Sequence, residues 1–128
     1  MPGALTRRGS PRNRKVNIAD TATAGTEVVN LEGATSGSVF ADTSFDGSAI
    51  TFQSAMSGKL NGVPLNEQTA GTGWVWFTAK DGAGNNISVS VSAGQSAPLP
   101  SSLFGLRYIR PVSGTAQTGA GFVTFVLS

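Results

Sequence analysis

The sequence predicts an all-β domain: a β-sandwich or jelly roll of about seven or eight short antiparallel strands, preceded by an extended N-terminal arm. Three observations predict it. Apolar residues alternate with polar ones over short runs, the period that puts successive side chains on opposite faces of a strand. Gly, Ser, Thr and Asn punctuate those runs, with 17 glycines in 128 residues supplying turns. No segment of ten or more residues keeps the 3.6-residue period of an amphipathic helix.

The strands follow in order. Residues 16–19 form a short first strand, and 26–31 carries Val28, Val29 and Leu31. Residues 38–41 carry Val39 and Phe40. Residues 49–56 put Ile50, Phe52, Ser54 and Met56 on one face and Thr51 and Gln53 on the other. Asn61-Gly62 is a hairpin-type turn. Residues 73–80 are apolar on both faces, with Trp74 and Trp76 on one and Val75 and Phe77 on the other. Such a strand is covered on both sides or meets a partner on one. The Gly/Asn turn at 81–86 leads into Ile87, Val89 and Val91 alternating with serines, so 74–92 reads as a hairpin. Pro98 and Pro100 interrupt the sheet, and Leu103 and Phe104 fall in a short helical turn. Residues 106–112 and 121–127 complete the set, and two sheets packed face to face bury such alternations best.

Only 12% of residues are charged, against roughly 25% in ordinary domains, so uncharged polar residues must cover the surface. Such a surface suits β proteins that work inside assemblies or outside cells. The formal net charge of +2 is unevenly placed. Arg7, Arg8, Arg12, Arg14 and Lys15 make residues 1–15 a basic arm with no acid in it. The body, residues 16–128, holds four basic residues against seven acidic ones, a net −3. The arm has no hydrophobic period and could span about 50 Å when extended. Basic arms bind nucleic acid or acidic protein surfaces. No secretory leader pattern and no run of roughly 20 apolar residues is visible, so a soluble protein without a membrane span, made in the cytoplasm, is expected.

The side chains argue against an enzyme. There is no His and no Cys, which removes the Ser-His-Asp and Cys-His arrangements, disulfides and thiolate metal sites. Asp42, Asp46, Glu67 and Asp81 are the candidates for paired carboxylate chemistry, but they lie in no patterned motif and read as solvated loop acids. The Asp81-Gly-Ala-Gly-Asn-Asn stretch lacks the alternating acidic ligands and distal Glu of a calcium loop. No cofactor and no metal is expected. Trp74, Trp76 and Tyr108 are candidates for a subunit contact or for stacking on a ligand, with core packing the more economical role.

The stretch Phe45-Asp-Gly-Ser-Ala-Ile-Thr-Phe-Gln-Ser54 resembles a pattern in small structural proteins of tailed bacteriophages. In that pattern an aromatic strand follows (here Trp74–Phe77), then an Asp-x-x-Gly-Asn turn (Asp81–Asn85) and an alternating strand (Ile87–Val91). A Leu-Pro segment, an Arg-Tyr-Ile-Arg strand at 107–110 and Ser113-Gly-Thr115 continue it, covering about residues 45–128. The arm lies outside the resemblance. It implies a non-catalytic particle component, made in the host cytoplasm: a head decoration (cement) protein on the capsid surface, or a head-fibre or tail-associated protein. The expected partners are the major capsid protein and further copies of this chain, as a dimer or trimer. The arm (Arg7, Arg8, Arg12, Arg14 and Lys15) would contact capsid subunits. A carbohydrate-binding adhesion module is the first rival. A nucleic-acid-binding protein ranks last, because the acidic body would repel phosphate.

Overall fold

A computed structural model describes residues 12–128 of the chain. It is all-β, with antiparallel sheets and a single 3-10 turn at Ser101–Gly105. The strands are β1 (Arg12–Ile18), β2 (Val29–Asn30), β3 (Gly37–Ala41), β4 (Ala49–Ala55), β5 (Lys59–Leu60), β6 (Val63–Pro64), β7 (Trp76–Thr78), β8 (Ser88–Ser90), β9 (Ser96–Pro98), β10 (Tyr108–Ser113) and β11 (Gly121–Leu127). Among the described residues no helix is long and apolar enough to cross a membrane.

The pairing is nested. The first strand pairs with the last, β2 with β10, β3 with β9, and β4 with β8, all antiparallel. Successive nested pairs fall in alternate sheets. One sheet has the order β1-β11-β3-β9; the other runs β2-β10-β4-β7, with β8 also on β4. Period-two alternation explains which side chains go inside. On β11, Val123, Phe125 and Leu127 are buried while Phe122, Thr124 and Val126 are half-buried. On β4, Ile50 and Phe52 point into the core. Both sheets feed one apolar cluster, and Phe52 meets Phe125 across it edge to face, with centroids 6.3 Å apart.

Strand edges and turns follow local chemistry. Pro98 stands on the edge strand β9, where a missing N–H breaks no ladder. Pro111 sits inside β10, but its carbonyl accepts from Gly25 N–H at 2.8 Å. Its backbone groups therefore face the 24–26 segment, and the β4–β10 ladder loses nothing. Asn61 and Gly62 both have positive φ, 53° and 80°, which the tight β5–β6 turn requires.

Three expectations change. The last four arm residues, 12–15, are not free of the fold: they pair in β1, with Arg12 opposite Leu127 and Lys15 opposite Thr124. Residues 74–92 are not a simple hairpin. β7 and β8 lie one after the other along the same edge of β4, and only the tip at 79–87 turns back on itself. The inward face of β4 ends near Ser54. Met56 is 87% exposed, whereas Ala55, on the opposite face, is buried.

The chain between β10 and β11 is held by Gln117, 2% exposed. Its amide nitrogen shares its two hydrogens among Asp46 O (2.8 Å), Thr115 O (3.1 Å) and Ser113 Oγ (3.2 Å). Its Oε1 accepts from Asp46 N–H at 2.9 Å. Replacing it strands several buried polar groups. Gln117→Ala is expected to lower unfolding free energy by about 2–3 kcal/mol, seen as a lower urea midpoint at unchanged slope. Met56→Ser, on the surface, is expected to shift it by less than about 0.5 kcal/mol.

Candidate functional site

The outer face of the second sheet carries Tyr108 and Arg110 on β10, Gln53 and Ala55 on β4, and Trp76 on β7. Their register places Tyr108, Ala55 and Trp76 in one row, with Arg110, Gln53 and Thr78 in the next. The 65–74 loop folds over the first row. Trp74 stacks on Trp76 with centroids 5.7 Å apart and meets Tyr108 at 5.3 Å. Both indole N–H groups are satisfied within the chain: Trp74 donates to Asn66 O at 2.9 Å and Trp76 to Ala70 O at 2.7 Å. Trp74 forms a second apolar cluster with Val28, Ala55 and Ala70. The structure thus brings Trp74, Trp76 and Tyr108 together and gives them a packing task. Tyr108 also fixes Gly58, where a Cβ would come within 2.5 Å of the phenol ring.

Beside this cluster lies an apolar rim. Met56, Leu60, Val63, Val75 and Phe77 are all more than half exposed. A groove of about 530 Å³ runs between Met56, Phe77 and Leu106, ending at Arg107. A second, of about 150 Å³, lies between Met56, Leu60 and Val75. Residues 73–77 therefore split their two apolar faces, the tryptophans packing inward under the loop and Val75 and Phe77 facing solvent.

The five basic residues assigned to the arm separate. Arg7 and Arg8 lie outside the described residues. Arg12 donates to Glu32 O at 2.7 Å. Arg14, half-buried, donates to Val28 O (3.1 Å), Glu67 O (2.8 Å) and Gln68 Oε1 (3.4 Å), and sits 4.0 Å from Glu27. These two arginines hold loops against β1. Lys15 points out from the sheet with its ammonium 4.4 Å from the Phe122 ring centroid.

Asp81 and Asp42 hold their own turns, whereas Asp46 and Glu67 brace distant segments. Asp81 Oδ1 accepts from Ala83 and Asn85 N–H, Asp46 Oδ2 from Thr118 N–H, Asp42 Oδ2 from Ser44 Oγ–H, and Glu67 Oε2 from Asn30 Nδ2–H.

Arg110 is the residue that sequence reasoning missed. Its Nε donates to Gln53 Oε1 at 2.7 Å and its guanidinium lies 4.7 Å from the Trp76 ring centroid. No acid pairs with it among the described residues, and burial lowers its pKa from the ordinary arginine value. The Arg-Tyr-Ile-Arg spelling, which places Tyr108 and Arg110 on the face opposite Ile109, was the signal available.

No family model, no curated protein and no solved structure matches this chain.

The division among the basic residues is testable. Arg14→Met is expected to cost about 1–3 kcal/mol, because Val28 and Glu67 carbonyls lose a charged donor. Lys15→Met is expected to cost less than about 0.5 kcal/mol. Paired urea titrations read both, and equal costs would show that Arg14 holds no loop.

Proposed function

We propose that this chain is a virion structural protein: a capsid decoration protein that binds and stabilises the head shell of a tailed bacteriophage. The observation that carries the proposal is the nested strand pairing, first with last and alternating between two sheets that share one core. We interpret it as a β-sandwich of the jelly-roll type, an architecture that recurs in viral capsid proteins and lectins. Fold alone does not fix function. Two further features support the assembly role: the likeness of residues 45–128 to phage structural proteins, and the apolar rim.

An exposed cluster of Met56, Val75, Phe77, Leu60 and Val63 is unusual for a chain that works alone. The rim supports self-association into a dimer or trimer, which would present several copies of each weak capsid contact at once. Because Arg12 and Arg14 hold loops, contact with the acidic capsid surface falls to Arg7, Arg8 and Lys15. The same engagement leaves fewer basic groups for nucleic acid.

Two experiments test this. Deleting residues 1–11 is expected to weaken binding to particles from the native source while leaving the far-UV CD spectrum and Tm unchanged. Undiminished binding of the truncated chain in high salt contradicts the role given to the arm. Phe77→Lys is expected to shift the protein to monomer in sedimentation velocity without unfolding it. An oligomer that survives the substitution removes the rim from the interface.

A further inference from the structure

Every arginine among the described residues but one has an acceptor on an Nη group. Arg12 and Arg14 hold backbone carbonyls, and Arg107 pairs with Glu32 at 2.7 Å. Arg110 has a single acceptor among the described residues, the neutral Gln53 Oε1 on its Nε. A partly desolvated guanidinium without a counter-charge is costly, and its cation–π contact with Trp76 offsets only part of that cost. The arrangement also fixes orientation. With Nε tied to Gln53 and the plane lying near the Trp76 ring, the two Nη groups remain as a held fork of donors. That fork matches a planar carboxylate, which accepts two parallel hydrogen bonds.

Arg110 borders a groove of about 360 Å³, lined by Ala24, Gly25, Thr26, Thr69, Ala70 and Gly71. Its walls are mostly apolar small residues, Thr26 and Thr69 supply the side-chain hydroxyls, and no carboxylate lines it. A bare carboxylate would use the fork alone. A carboxylate on a hydroxyl-bearing ring would use the fork, the two threonine hydroxyls and the apolar walls together.

We propose that the Arg110 groove binds a sugar acid, with the carboxylate of a uronic acid residue bidentate on the Arg110 guanidinium, its hydroxyls against Thr26 and Thr69 and its ring face on the alanine and glycine walls. Trp76 acts through Arg110, holding the guanidinium in place, and its indole is not itself the sugar platform. This site goes beyond the assembly role and stands or falls separately from it, because it uses neither residues 1–15 nor the apolar rim.

The probes are D-glucuronate, D-glucose and acetate, each at matched ionic strength with chloride as the balancing anion. Two signals are read on the full chain: tryptophan emission, which reports Arg110 through Trp76, and the Arg110 Nε–H resonance in a ¹⁵N-labelled sample. Glucuronate is expected to move both saturably, at concentrations about tenfold lower than acetate or glucose require, the factor that one additional hydrogen bond supplies. Arg110→Lys keeps the charge and loses the fork, so it is expected to weaken glucuronate about tenfold with Tm nearly unchanged. Thr69→Val, on an exposed wall, is expected to weaken glucuronate and leave acetate unaffected. Acetate matching glucuronate overturns the sugar assignment, and no saturable response to either overturns the site.

Discussion

Phe52 against Phe125 is the contact on which the rest of the structure depends. Each phenylalanine sits on an inner strand of its sheet: β4 lies between β10 and the β7–β8 row, and β11 lies between β1 and β3. Each is fully buried, and they meet edge to face at 6.3 Å. Removing either ring would open a cavity at the middle of the shared core and cost about 3–5 kcal/mol, a large part of a small domain's stability. With so few charges available to solubilise or tether the surface, this domain relies on apolar burial and on hydrogen bonds from neutral groups. Gln117 illustrates the second: one buried amide joins the 45–48 turn to the β10–β11 connection without any ion pair.

From that core outward, side chains divide by task. Arg12 and Arg14 hold loops against the first strand, and Trp74 pins the 65–74 loop over the second sheet. What those tasks leave over is spatially separate. The apolar rim includes Phe77 on β7 and Met56 just past β4, while Arg110 borders the groove lined by the 24–26 and 69–71 segments. The surface proposed for a protein partner and the one proposed for a carboxylate share no residue.

Much of this was legible before the structure, and the reasons it was legible are specific. Alternation in 49–53 and 121–127 marks strands because period two is local, and the Asn61-Gly62 turn is written in two adjacent residues. Pairing partners are not local. Nothing in 74–92 distinguishes a hairpin from two strands lying along β4, because both arrangements bury the same alternation. Arg12-Asn-Arg-Lys15 carries no apolar signal, and it becomes a strand only because β11, more than a hundred residues later, supplies its ladder. Trp74 and Trp76 share one side of the sheet, as their spacing predicts, but the strand begins only at Trp76: Trp74 belongs to the covering loop, which has no periodicity to announce it. Arg110 was passed over because its isolation is a property of what the fold places around it.

The assembly claim is tested most directly by gradient sedimentation of lysate from the native source, with this chain followed by mass spectrometry. The account predicts that it travels with megadalton particles, at many copies in each. Recovery at the top of the gradient as a small oligomer would contradict it.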